Sequence, residues 1–201
     1  MRIAQITDGK AGRCVIRLEN GMEFPIGRKE KKNLELEEGK ELGTNQLQWI
    51  MEELVYPRGR NYLIHLLASK DYTISEIEEK LRKTSYPDIV IEQIIHYGIE
   101  QHYLDDARYA EDYIRFHREG KSIRSLKYKL REKGIPDDIL NGIEEEDEEE
   151  FLYPMVKKYW EKKKGDSYVR RGKTTQYFVR KGYPFDLVRR LITRLEEERI
   201  V

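Results

Sequence analysis

Three segments of the chain align on a proline, and this alignment restricts the fold more than any other feature. They read KLRKTSYPDIVIEQII, KLREKGIPDDILNGI and YFVRKGYPFDLVRRLI, with Pro87, Pro136 and Pro184 spaced 49 and 48 residues apart. Six positions before each proline stands Leu81, Leu130 or Phe178. Three, four and seven positions after stand Val90, Ile91 and Ile94, then Ile139, Leu140 and Ile143, then Leu187, Val188 and Leu191. The eighth position is Ile95, Glu144 and Ile192, so the middle copy breaks there. Proline in a first helical turn starts a helix, because its missing N–H would be unpaired there anyway. The apolar set behind it forms one buried stripe.

The helix before each proline carries Ile74, Ile77 and Leu81 in the first copy and Ile123, Leu126 and Leu130 in the second. The third has Arg171, Thr174 and Phe178 and is degenerate. An earlier helix is predicted in each copy, over about 60–69, 105–119 and 148–164. The expected fold is therefore mainly α. Tandem three-helix repeats would form an elongated curved array, each burying its neighbour's face. The divisions predicted are a β-rich N-terminal extension over 1–58 that ends in a helix, and repeats over 59–104, 105–146 and 147–201.

The extension follows a different period. Short β-prone runs at 1–7, 14–18 and 23–26 are separated by Asp8-Gly9 and Asn20-Gly21, the dipeptides of tight hairpins. A three-stranded meander is expected, with a fourth strand near 33–36, too small to be very stable alone. From Thr44 the period turns helical, with Leu47, Ile50, Met51 and Leu54 on one face and Pro57 ending the element. Further signals mark helix starts. Thr73 and Glu76 have capping-box spacing. Asp105 is placed as an N-cap, Asp106 on the positive helix end, and Leu104 as a hydrophobic staple to Tyr109.

Composition narrows the class. Charged residues make up 38% of the 201, against roughly 25% in ordinary soluble proteins. Fourteen Tyr, five Phe and two Trp argue against disorder. No apolar run approaches the roughly 18 residues of a membrane-spanning helix. The first residues lack the form of a secretory signal. Cys14, the one cysteine, can form neither an internal disulfide nor a multi-cysteine zinc site, so a reducing cytoplasm is the expected compartment.

Charge is zero only on average. Residues 1–58 are net 0, residues 59–140 net −1, residues 141–150 net −7 and residues 151–201 net +8. Within 115–133, eight basic residues (Arg115, Arg118, Lys121, Arg124, Lys127, Lys129, Arg131, Lys133) stand against Glu119 and Glu132. Such a stripe can follow a phosphate backbone or an acidic protein groove, or it can be a solvated face with ion pairs. The acidic run 144–150 reads as a linker or a first helical turn, or as a mimic of phosphates.

Catalytic patterns are wanting. The segments 9–12 and 27–31 lack the ending and context of a phosphate loop. His65, His96, His102 and His117 lie on separate elements, and the carboxylates form no recognisable acid–base or metal constellation. No enzyme activity, metal or cofactor is expected. Tyr109, Tyr113, Tyr128, Tyr159 and Trp160 could stack on bases, but their helical spacing suits packing better.

The segment from Tyr103 to Glu111, YLDDARYAE, followed by REGKSIR from Arg118 and LREKGI from Leu130, closely resembles the RecX family of bacterial regulatory proteins. His102 stands where the family usually has Gly before the Tyr. The resemblance covers about residues 60–201. It implies a non-enzymatic helical-repeat modulator that binds the filament of the RecA recombinase on single-stranded DNA. Such proteins mostly depress the filament's ATPase, strand-exchange and co-protease activities, in recombination, DNA repair and the SOS response. A monomer is expected, touching DNA within the filament or weakly alone. By motif, Tyr103, Leu104, Asp105, Asp106, Arg108 and Tyr109 match the family signature, chiefly for capping and packing. Arg115, Arg118, Lys121, Arg124, Lys127, Lys129 and Arg131, with Arg170, Arg171 and Lys173 in the last repeat, are the candidates for binding. The alternative is a helical protein acting directly on DNA without a recombinase. A pure protein-interaction scaffold is a third class.

Overall fold

The structure, a computed structural model, describes residues 1–9, 12–118, 120–143 and 148–198. Lys10, Ala11, Glu119 and residues 144–147 of the acidic run lie outside the described residues. The chain forms two units, Met1–Asp106 and Ala107–Val201.

In the first unit, strands β1 (Ile3–Asp8), β2 (Arg13–Leu18) and β3 (Glu23–Gly27) form an antiparallel meander in that order. Alternation along β2 buries Cys14, Ile16 and Leu18, and Ile16 faces Ile6 on one side and Phe24 on the other. At the second hairpin the Asn20 side-chain oxygen accepts from the Met22 N–H at 3.1 Å, which locks the turn.

The fourth strand expected near 33–36 is not formed. Helix α1 (Arg28–Asn33) occupies the approach to it. Glu30 accepts from the Gly27 N–H at 2.8 Å, and good helix formers follow. Lys40 then closes the exit by donating to the carbonyls of Leu34 and Glu35.

Pro57 does not end its helix either. Helix α2 (Thr44–Ile50) passes through a π-helical turn (Met51–Val55) into α3 (Tyr56–Leu67), with Pro57 in the first turn of α3. The wider turn resets the hydrogen-bond register just before the ring that would otherwise break the ladder.

The sheet does not stand alone. Cys14, Ile16, Phe24 and Ile26 share one hydrophobic cluster with Ile50, Val55, Leu63, Ile77, Leu81, Ile91 and Ile94 of the helices. Polar ties reinforce it. Arg58 donates to Glu30 at 2.6 Å, and Ser85 Oγ donates to Glu23 on β3 at 2.9 Å. Helix α3 lies so close to α5 (Asp88–Glu100) that a Cβ on Gly59 would meet Ile94 at 2.2 Å.

The remaining helices follow the repeat: α4 (Ile74–Lys83) before α5; α6 (Asp106–His117), α7 (Ile123–Glu132) and α8 (Asp137–Gly142); α9 (Glu148–Lys162), α10 (Ser167–Arg180) and α11 (Phe185–Glu197). The prolines sit one residue earlier than expected, as extended N-caps of α5, α8 and α11, with φ of −63°, −60° and −57°. A proline ring tolerates that conformation and leaves no donor to satisfy.

The turn before each proline explains the apolar residue six positions upstream. Ser85, Gly134 and Gly182 take φ of 61°, 83° and 93°. The N–H of the next residue then reaches back, from Tyr86 to Leu81, Ile135 to Leu130 and Tyr183 to Phe178, at 3.1–3.2 Å. This is the Schellman closure, with its usual apolar contact across the turn. In the second unit, Ala110, Leu126, Leu130, Ile135 and Leu140 form one cluster. Leu152, Val156, Trp160, Phe178, Val188 and Leu191 belong to another.

Candidate basic binding surface

Asp106 stands in the first turn of α6, as expected, and also caps a second helix. The Asp106 carboxylate accepts from the Ile74 N–H at 3.0 Å, so it closes the N-terminus of α4 as well as sitting in the first turn of α6. Burial holds its carboxyl above the usual range, and Asp105, Glu76 and Glu78 add to the rise while the Ile74 bond opposes it. Thr73 and Glu76 form the predicted capping box at 3.1 and 3.2 Å. Leu104, expected to staple to Tyr109, is instead buried in the first unit's core against Gly98. Tyr103 is half exposed and packs edge-on to Tyr97. Tyr109 stacks on Tyr113, which stacks on His117, as a ladder along α6. Arg108 is exposed. His102 takes φ of 56°, the conformation that explains the family's preference for Gly there.

The basic residues divide by their neighbours. Arg115 is bound to Asp112, and Arg131 to Asp137 at 2.7 Å. Arg118 lies over the Phe151 ring at 4.8 Å. Lys121 faces Lys129, whose charge lowers the Lys121 pKa, with a smaller contribution from desolvation. Arg124 is exposed and makes no ion pair among the described residues. On α7, Arg124, Lys127, Tyr128 and Arg131 recur at helical spacing on one side. Tyr128 is 60% exposed, and alone among the weighed aromatics it stands out from this face. Trp160 is buried, and Tyr159 stacks on Tyr177.

The C-terminal candidates are less available. Arg170 packs over the Trp160 ring at 5.0 Å with its Nε buried. Arg171 is bound to Glu196. Lys173 is exposed. The turn before α7 packs on the end of α10, where the Ser122 N–H donates to the Lys181 carbonyl and a Cβ on Gly120 would meet the Lys181 ammonium. Lys181, at this turn, and Tyr168, Phe185 and Arg189 on α10 and α11 were not among the sequence candidates. Among the described residues no group of His, Cys, Asp and Glu could hold a metal ion, and no helix is long and apolar enough to cross a membrane.

Three-helix units in succession along the chain, the middle one with a cationic second helix, define a helical-repeat protein. Family comparison agrees segment by segment: the first, second and third three-helix domains of RecX match residues 60–97, 105–141 and 146–192. The chain belongs to the RecX family. It is 30% identical over 169 residues to the regulatory protein RecX of Staphylococcus haemolyticus, covering 81% of this chain and 63% of that protein. To that of Clostridium tetani it is 27% identical, covering 88% and 84%. A crystal structure of a regulatory protein RecX superposes with a TM-score of 0.62 at 23% identity, over 94% of this chain and 98% of that one. The RecX of Lactobacillus salivarius gives 0.63 at 24% identity, over 70% and 96%. At these identities the two structures speak for the fold.

Proposed function

We propose that this protein is a non-enzymatic regulator of the RecA recombinase, acting in the cytoplasm as a monomer on the recombinase–single-stranded-DNA filament and mostly depressing its ATPase. The observation that carries the reading is membership of a family whose role is modulation of RecA, with all three repeats matched in order. The basic face of the second repeat supplies the contact. Lys121 and Lys129 are like charges held side by side. Bringing a phosphate between them removes a repulsion that water alone must screen. Arg124 and Tyr128 extend the face with a guanidinium for phosphate and a ring for stacking.

The test is a double charge reversal, Arg124→Glu with Lys129→Glu, at positions that leave the core untouched. Filament binding is measured by anisotropy of labelled filament, beside binding to naked single strands at the same salt. The reading expects at least a tenfold loss on the filament, about the effect of removing two phosphate contacts near physiological salt. Undiminished filament binding by a folded variant contradicts the assigned face. Tight, steeply salt-dependent binding to naked DNA, with no effect of the recombinase, favours a direct DNA-binding protein instead.

A further inference from the structure

The third repeat departs from the other two at one place on its surface. In the first two copies an ion pair ties the second helix to the third across the turn: Arg82 to Asp88 at 3.4 Å and Arg131 to Asp137 at 2.7 Å. The proline register puts Val179 and Phe185 at these two positions. Neither is buried, Val179 being 40% and Phe185 54% exposed. An exposed ion pair has been exchanged for an exposed apolar pair, the reverse of what water favours unless something covers it.

The exchange lies in a groove of about 810 Å³ between α10 and α11. Tyr168, 86% exposed, stands at the same groove. Its charged lining residues are Arg171, Lys173 and Arg189, and among the described residues no carboxylate lines it. Arg171 is taken by Glu196, while Lys173 and Arg189 have no ion-pair partner among the described residues. The groove therefore offers aromatic and aliphatic surface beside two cations.

We infer that this groove seats an acidic, amphipathic polypeptide segment of a partner protein. Its apolar side chains cover Val179, Phe185 and Tyr168, and its carboxylates meet Lys173 and Arg189. Nucleic acid suits the groove less well. A phosphate backbone calls for a run of cations, which α7 has and this groove lacks. Buried aromatic anchors with a charged rim are instead how a protein segment is held. The inference rests on the filament reading and divides its labour, with the α7 face toward DNA and the α10–α11 groove toward the recombinase itself.

The sister repeats supply the variant that tests it. Val179→Arg with Phe185→Asp installs the ion pair that the other two copies already carry, so the fold should tolerate it. Lys173→Glu with Arg189→Glu probes the same groove through charge alone, on exposed side chains. Each is checked for an unchanged melt by circular dichroism. Each is then titrated against DNA-free recombinase from the same organism, and against labelled oligo(dT). The expected result for both variants is about a tenfold loss toward the recombinase, in the range of removing interface anchors, with oligo(dT) binding unchanged in the Val179→Arg, Phe185→Asp variant. Wild-type affinity for the recombinase in both variants overturns the groove assignment. Loss of oligo(dT) binding alone gives the groove to nucleic acid and overturns it as well. Failure of the unaltered protein to bind recombinase or filament brings down the filament reading, and this inference with it.

Discussion

The Asp106 carboxylate accepts a hydrogen bond from the Ile74 N–H at 3.0 Å, so the first residue of one repeat's leading helix closes the middle helix of the repeat before it. The second repeat does the same with the third: Glu148, first residue of α9, accepts from the Ile123 N–H at 3.1 Å. Helix N-termini leave backbone donors unpaired, and here the neighbouring repeat supplies the acceptor. Consecutive repeats are thus linked through a polar cap.

Asp106→Ala is expected to lower unfolding free energy by about 1–2 kcal/mol, the cost of losing a cap. Asp106→Asn keeps the accepting oxygen and is expected to match or exceed the unaltered protein at neutral pH. The raised Asp106 pKa makes its contribution fullest below the unfolded value and erodes it as pH rises through the folded one. The Asn variant should lack that dependence. Urea titrations at neutral and mildly acidic pH check both points.

Tyr86 and Tyr183 occupy the position just before the repeat proline, and burial pushes both hydroxyls up to about 12. Neither hydroxyl has a hydrogen-bond partner among the described residues. A pKa raised on folding gives stability that is complete below about pH 10 and lost as pH climbs toward about 12. Stability should fall there by up to about 1.4 kcal/mol per pH unit for each tyrosine. Tyr86→Phe with Tyr183→Phe should flatten the alkaline limb of a chemical-denaturation series. An unchanged limb contradicts the assignment.

Thr174 fills a core position that Ile77 and Leu126 fill in the other copies, and its hydroxyl is buried without a partner among the described residues. Thr174→Val keeps the shape and removes the stranded hydroxyl. A gain of about 1 kcal/mol is expected, read from the denaturation midpoint at unchanged slope.

His102 holds a left-handed backbone conformation, which costs a non-glycine residue roughly 1–2 kcal/mol. Glycine recovers part of that and gives some back as unfolded-chain entropy. His102→Gly should therefore raise the thermal midpoint slightly. A fall would mean that the imidazole's own contacts outweigh the backbone strain.

What could be read from the sequence was what a period or a local spacing encodes. The proline register located the helices of all three copies, and the capping box at Thr73 and Glu76 and the meander followed from short-range rules. Elements decided by distant partners could not be read that way. Asp106 looked like a charge on its own helix because its acceptor role spans 32 residues. Pro57 looked like a terminator because no residue pattern announces a π turn. The basic candidates were visible as composition, but only packing shows that Arg170 lies on Trp160 while Arg124 makes no ion pair among the described residues. The groove in the third repeat was in principle legible, since Val179 and Phe185 already break the Arg–Asp register of the other copies.

The most direct test of the regulatory role is the single-stranded-DNA-dependent ATPase of the recombinase from the same organism, with this protein added far below the amount that would coat the DNA. Binding to the naked strand is titrated in parallel at the same salt. The account predicts that ATPase falls at these substoichiometric levels while the free strand remains largely unbound. ATPase that stays constant, with or without strong binding to the naked strand, would contradict it.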